Sequence, residues 1–348
     1  SYARRRHAGC RSFPYDVCQR LLARIAIVGA GLAGLVLAQA LGQDHEVVVF
    51  EKSRGVGGRM ATRYAGAFEF DHGAQFFTAR SDAFGSFLAP LEKHGVIAPW
   101  HARFAELRRS QVGEIRQWSD EYPHYVGVPR MNAVGKWLAR DIDVRTGTTV
   151  QALVKEGAGW RLRTDTAGPP DAFDWVVFTA PPAQTAALLP HGSSLLEDCD
   201  TINMTACFAL LLGFSKSQAL AWQATRVRDA DISWMSANHS KPGRPPGFSL
   251  VAHSTNAWAD MHLEDRPEAV KAHLLSEVSA VAGIDAGAAE YVELHRWRYA
   301  NIARQGGKGY AIDVTNRVAA AGDWLVRGRV EGAFRSASAL TTALAALL

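Results

Sequence analysis

Residues 25–43, IAIVGAGLAGLVLAQALGQ, contain no charge over nineteen positions, and their internal order restricts the fold more than any other stretch of the chain. Ile25 to Val28 is a short β-branched run. Gly29, Gly31 and Gly34 follow at GxGxxG spacing, LVLAQAL has the composition of a helix, and HEVVVFEK reads as a second strand that ends at Glu51. Strand, glycine turn, helix, strand and acid make one βαβ unit. Gly29 allows a tight turn, Gly31 lets a pyrophosphate approach the backbone, and Gly34 lets the helix pack close to the sheet. The helix N-terminus presents free N–H groups to phosphates, and Glu51, twenty residues after Gly31, can accept ribose hydroxyls. A secretion signal cleaved after Ala40 would destroy this unit, and a membrane helix would need about 20 apolar residues without a glycine turn at their start. The nucleotide cradle therefore displaces both alternatives.

The charge distribution excludes one function class. The chain of 348 residues has a net charge of +4, yet residues 1–24 hold six arginines against Asp16, so the remainder is close to neutral. The basic character belongs to the N-terminal segment and implies no nucleic-acid surface on the folded body. Residues 1–23 have no periodic apolar face and are expected to be a disordered or non-native extension. Four cysteines, Cys10, Cys18, Cys199 and Cys207, form no CxxC pair and no zinc spacing, which suits free thiols in a reducing, cytoplasmic compartment. No metal, membrane or nucleic-acid partner is expected, and the oligomeric state is left open.

GxGxxG with an acid serves NAD and FAD equally. The next residues, Lys52 to Met60 (KSRGVGGRM), add glycines that let the chain pass a cofactor and arginines, Arg54 and Arg59, that can neutralise a pyrophosphate. Joined to the βαβ unit, this run resembles the FAD site of the amine oxidase and protoporphyrinogen oxidase superfamily. That resemblance extends to RVAAAGD (317–323), a strand running into Asp323, and to Val330-Glu331-Gly332-Ala333, which opens a C-terminal helix. It implies that Asp323 holds the ribityl chain and that the helix N-terminus faces the flavin pyrimidine, where N–H groups stabilise negative charge. The segment 174–182, DWVVFTAPP, is a third cofactor-side strand. The expected FAD contacts are Gly29, Gly31, Gly34, Glu51, Lys52, Arg54, Gly58, Arg59, Met60, Val150, Gly322, Asp323, Val330, Glu331, Gly332 and Ala333. No cysteine lies near the C-terminal motif, so the FAD is expected to be noncovalent.

Longer strings narrow the resemblance. FDHGAQFFTAR (70–80), YVGVPRM (125–131), ISWMSANHSKP (232–242), AHSTNAW (252–258), HRWRYA (295–300) and GDWLVRGRVEGA (322–333) are similar to the bacterial renalases, from about residue 24 to the C-terminus. The resemblance implies an FAD oxidase of the 1,2- and 1,6-dihydro isomers of NAD(P)H, with hydride passing to flavin N5 and O2 reoxidising the flavin to give H2O2. It carries Asn238, His253 and Trp297 to the substrate. Trp297 and Tyr299 occupy alternate positions of one strand, as an aromatic wall for a flat ring or as core packing. Asn238 either binds a carboxamide or holds its own turn. Two departures from the family pattern, Arg130 and Ala337 at positions where glycine is common, add bulk near the cofactor.

The expected architecture is α/β: a Rossmann-like FAD-binding domain (24–94, 141–195 and 308–348) interleaved with a mixed-sheet substrate domain (95–140 and 196–307). Two further functions stay open. An amine oxidase or desaturase would act on a small apolar substrate, with Lys308 as the one lysine nominated beside the flavin; a flavin redox sensor would turn nothing over.

Overall fold

The computed structural model describes residues 22–166, 172–302 and 308–348. The expectation for the N-terminal extension lies outside them, apart from its last two residues. Two large sheets dominate. The first has six strands in the order Ala311–Asp313, Val318–Ala320, Trp175–Phe178, Arg24–Val28, Glu46–Glu51 and Asp143–Thr146; all neighbours are parallel except the antiparallel edge strand Ala311–Asp313. Its central strands read as continuous apolar runs because both faces are covered. Ile25, Ile27, Val49 and Val177 face one core with the helices Leu32–Leu41 and Val330–Ala345, whereas Ala26, Val28, Val48, Phe50 and Val176 face a second core with Trp160 and Val150. This is the expected Rossmann-like arrangement.

The uncharged stretch 25–43 is explained by burial. Helix Leu32–Leu41 buries Leu32 through Ala38 and Leu41, so almost its whole circumference is packed. Among the described residues no helix is long and apolar enough to cross a membrane.

The second sheet is mixed and has seven strands: Tyr291–Ile302, Met204–Phe214, Phe248–Ser254, Ile232–Ala237, Ala224–Arg228, Arg103–Arg108 and Gln111–Gln117. Alternation along Met204–Phe214 divides its residues. Phe208, Leu210 and Leu212 face the core shared with Val270, Leu274 and Val278 of helix Pro267–Ala282. Ala209 and Leu211 face the opposite way, toward Phe70 and Val251, with Trp297 packed beside them. On that inner face lies the segment after strand Phe68–Phe70, so the loop 71–77 runs between the two sheets. Gly213 permits this approach, since a Cβ there would come within 2.6 Å of the Phe68 ring.

Helix and sheet touch most closely at Gly34. A Cβ at Gly34 would lie 2.0 Å from the Gly29 carbonyl oxygen and 2.8 Å from Thr179 Oγ1, which itself donates to Gly29 O. No side-chain rotation relieves a backbone clash. Gly34→Ala is accordingly expected to destabilise the fold by about 3 kcal/mol through overpacking, measured as a shift in the urea midpoint; a shift below about a third of that would show that the helix can move away.

Candidate active site

The glycine turn and the end of strand Glu46–Glu51 form the first wall. Gly29 takes φ +115° and its N–H donates to Phe50 O at 2.8 Å. Glu51 is almost wholly buried; one carboxylate oxygen accepts the Ala30 N–H and the other the Ser53 N–H, both at 2.8 Å. A carboxylate has about four acceptor positions, so capacity for ribose hydroxyls remains. Gly57 N–H donates to Ala30 O, and Gly58 lies against Gly31, where its Cβ would come 3.3 Å from the Gly31 Cα. At Gly31, by contrast, a Cβ would meet nothing within 4 Å. A backbone open on one side, at the start of a ten-residue helix, is what a pyrophosphate requires, so the residues present fit a dinucleotide.

The C-terminal wall is tied to the first by one ion pair. Arg59 donates from both terminal nitrogens to Asp323, at 3.0 and 2.5 Å, and also to Ala300 O at 3.0 Å. Gly322 is needed because the Trp324 indole crosses it, within 2.5 Å of a Cβ, to donate to Ala180 O. Ser336 accepts the Gly322 N–H at 2.9 Å and donates to Gly309 O, joining the helix Val330–Ala345 to both.

The side chains of several expected cofactor residues have surroundings within the protein. Lys52 donates to Gln184 Oε1 at 3.2 Å, and Arg54 is exposed. Arg59 is paired with Asp323, because that carboxylate is buried beside it. Met60 and Val150 place their side chains in the two cores that flank the sheet. Glu331 turns away from its helix end to accept Arg80 N–H, Ser81 N–H and Ser81 Oγ–H, which pins residues 80–81 to the helix. Val330 and Ala333 are half-buried in the same core, and Gly332 packs 3.6 Å (as a Cβ) from Asp323. Ala337 is fully buried with Leu340 and Leu344, so its methyl fills core.

Against the seven-stranded sheet, the loop carbonyl of His72 is a meeting point. His253 Nε2 lies 3.0 Å from it and Trp297 Nε1 donates to it at 2.9 Å. Strand register explains the convergence: Trp234, His253, Ala209 and His295 form one row across four strands, with Trp297 two residues along from His295. The His72 ring packs 5.0 Å from Trp297 and 4.6 Å from His295. The structure thus brings His253 and Trp297 together. Tyr299 keeps the alternate spacing, half-buried like His295 and Trp297 while Arg296 and Arg298 are exposed, and it lies where the ladder to the neighbouring strand shifts register between Trp297 and Asn301. Asn238 has partners within the protein on both ends of its amide. It is wholly buried, its oxygen accepts Asp71 N–H and Lys241 Nζ–H, and its nitrogen donates to Glu69 O, so it anchors the loop.

The residues not singled out from sequence are His72, His295 and the buried group around Asp71. Asp71 accepts Thr62 Oγ1–H at 2.9 Å, Met131 N–H at 3.1 Å and Lys241 Nζ–H at 3.3 Å, and it pairs with Arg244. Burial alone would raise its carboxyl, but Lys241 and Arg244 outweigh this and hold it at about 2. Lys241 also donates to Gln75 Oε1 at 3.2 Å, and burial pushes its ammonium down to about 8 despite Asp71. Arg130 pairs with Glu69 and lies 5.2 Å from the Tyr64 ring centre, so its bulk is directed to that contact.

With this geometry in place, comparison with known proteins is informative. Residues 109–343 match the family of flavin containing amine oxidoreductases, and residues 27–91 match an NAD(P)-binding Rossmann-like domain. The chain belongs to the flavin-containing amine oxidoreductase family. That family implies a flavin cofactor. A solved structure from Exiguobacterium sp. 255-15, provisionally named a protoporphyrinogen oxidase, superposes with a TM-score of 0.74 at 14% identity over 92% of this chain and 98% of that one. Cyclohexylamine oxidase from Brevibacterium oxydans IH-35A gives 0.67 at 12% identity over 93% and 98%, and putrescine oxidase bound to putrescine gives 0.65 at 14% over 94% and 99%. At these identities the likeness is one of fold. The 4,4'-diapophytoene desaturase of Staphylococcus aureus (strain Newman) is 47% identical over 51 residues, 14% of this chain, and the match spans about a tenth of the desaturase's length.

Two outcomes follow. Gly31→Ala has room for its methyl in the folded chain, so its Tm without flavin is expected to stay within about a degree while flavin affinity falls more than tenfold, or about 1.4 kcal/mol; ultrafiltration of the reconstituted protein measures the latter. The second concerns pH. Burial, followed by His295, Arg63 and His253, lowers His72 from its ordinary 6.5 to about 3, with Asp71 opposing. Between those values the unfolded chain binds a proton that the folded chain does not, so this stabilisation is complete above pH 6.5 and lost as pH falls toward 3. His72→Phe, which keeps the ring and the carbonyl, should flatten the dependence of unfolding free energy on pH between 6 and 4 by up to about 1.4 kcal/mol per unit.

Proposed function

We propose that the protein is an FAD-dependent oxidase of isomeric dihydronicotinamide dinucleotides, the 1,2- and 1,6-dihydro forms of NAD(P)H, with FAD held noncovalently and O2 as the final acceptor. The observation that carries this reading is the group of flat, uncharged rings gathered on the His72 carbonyl. Burial is the main cause that lowers His72 to about 3 and His253 and His295 each to about 4. These imidazoles are too weakly basic to remove a proton at neutral pH. Hydride donation from a dihydropyridine needs no such base, because the reacting carbon loses a hydride and no separate proton. FAD, when bound, would supply two-electron acceptor chemistry, with O2 as the terminal oxidant. The protein's task is to orient the ring and exclude water. Trp297 and His253, fixed by their contacts to His72 O, offer the stacking edge for that ring. Glu51, Gly31 and Asp323 would hold the dinucleotide of the cofactor.

The proposal includes the division into an FAD-binding part (24–94, 141–195 and 308–348) and a substrate part (95–140 and 196–307), and a reducing, cytoplasmic setting without nucleic-acid or membrane partners. A second reading, oxidation of an apolar amine or a desaturation, is favoured by the aromatic group in which Trp118, His124 and Trp234 lie 5.0, 4.9 and 5.5 Å from Phe76. The lysine nominated for an amine oxidase, Lys308, is exposed, and buried Lys241 donates to Asp71, Gln75 and Asn238.

The deciding experiment mixes the flavin-loaded protein anaerobically with borohydride-generated dihydroNAD isomers and follows the flavin band near ~450 nm. Rapid bleaching by an isomer, with ordinary NADH and simple amines inert, is the expected result. Bleaching by an amine or an apolar donor alone would establish the second reading, and a flavin that no donor bleaches would leave a sensing role.

A further inference from the structure

On the far side of the seven-stranded sheet from the His72 loop, three donor side chains converge from two segments. Asp231 ends the turn before strand Ile232–Ala237, while His273 and Glu277 sit one turn apart on helix Pro267–Ala282. His273 Nε2 lies 2.8 Å from Asp231 Oδ2, and one donor atom from each of the three lies within 4.8 Å of the others. Glu277 Oε2 accepts the Asp231 N–H at 3.2 Å, and Asp231 O accepts the Thr255 N–H at 2.7 Å, so the turn that carries Asp231 is held toward the helix. The imidazole plane is fixed as well: His273 stacks on Trp258 with ring centres 4.9 Å apart and planes 11° apart.

The charge balance of this group is incomplete. Among the described ion pairs neither Asp231 nor Glu277 has a lysine or arginine partner, and the nearby Arg108 pairs with Asp229 instead. Two carboxylates thus face one imidazole in a position open to solvent, where His273 and Asp231 are 42% and 40% exposed. One nitrogen and two carboxylate oxygens, with solvent able to supply a fourth ligand, suit a borderline divalent ion. A tetrahedral ion about 2.1 Å from each donor needs donors about 3.4 Å apart, and the donor atoms lie within 4.8 Å of one another.

We propose that Asp231, His273 and Glu277 bind one divalent ion of the zinc class, which links the turn before strand Ile232–Ala237 to the helix that covers the outer face of the sheet. The site is separate from the flavin chemistry, and its ion would act by holding two elements together. Binding displaces the His273–Asp231 hydrogen bond, and the cost of that exchange sets the affinity in the micromolar range.

Calorimetric titration of EDTA-treated, flavin-loaded, full-length protein with ZnCl2 tests this, with Cys10→Ser and Cys18→Ser in every sample to remove thiol ligands. The expected result is one Zn2+ per chain with a Kd of about 1–50 μM, and a higher Tm with zinc than without. His273→Ala should weaken binding at least about thirtyfold and the shape-conserving Glu277→Gln about tenfold, with zinc-free Tm values showing that both variants fold. His262→Ala, on the Trp258 ring at 4.4 Å but outside the donor set, should leave the affinity unchanged. Binding weaker than 1 mM (about −4 kcal/mol), or a stoichiometric Zn2+ retained by both His273→Ala and Glu277→Gln, would overturn the proposal.

Discussion

The carboxylate of Asp71 is the contact on which the active-site half of the molecule depends. It is fully buried and holds Thr62, Met131, Lys241 and Arg244, which come from three separate parts of the chain. Removing one partner from a buried ion pair typically costs about 3–5 kcal/mol, because the other charge is left without compensation. Here one acid serves two cations, so loss of Asp71 would strand both. The geometry that results is specific. Arg244 donates to the carbonyls of Gly127, Pro129 and Pro242, which fixes the 127–131 turn against the loop that begins at Asp71. Position of the His72 carbonyl is therefore a consequence of a charge cluster one residue away.

Much of the fold was legible because its signals are local. The βαβ unit declared itself through glycine spacing, β-branched runs and a terminal acid, and the C-terminal helix through its apolar period. Gly34 shows how far that logic reaches, since its lack of a side chain is demanded by a backbone oxygen five residues earlier. Glu51 behaves likewise: its position at a strand end places its oxygens on the N–H groups of Ala30 and Ser53.

The site was less legible, for a physical reason. Its centre is a main-chain carbonyl, and no residue type marks the carbonyl of His72 as the acceptor for His253 and Trp297, which lie 181 and 225 residues away. Asn238 reads from sequence as either a carboxamide contact or the holder of its own turn, and its amide is taken up by the 69–71 backbone and Lys241. Asp71 left only a weak trace, one of two acids inside FEFDHGAQFF, and its partners Lys241 and Arg244 lie 170 and 173 residues away. Alternation was legible along the strand, where His295, Trp297 and Tyr299 are half-buried between exposed Arg296 and Arg298, but the register shift between Trp297 and Asn301 left no trace in the sequence.

Arginines illustrate the same point from the side of charge. Sequence spacing offered Arg54 and Arg59 as pyrophosphate ligands, and Arg130 as bulk placed where a glycine is common. In the folded chain Arg59 bridges the two walls through Asp323, while Arg130 is drawn to Glu69 and the Tyr64 ring. A guanidinium beside a buried or half-buried carboxylate pairs with it, since desolvation leaves the acid few other partners. For Arg59 this means that its donors are committed to Asp323 and to Ala300 O, so that one side chain ties the segment after strand Glu46–Glu51 to the end of strand Tyr291–Ile302 and to the segment before the C-terminal helix.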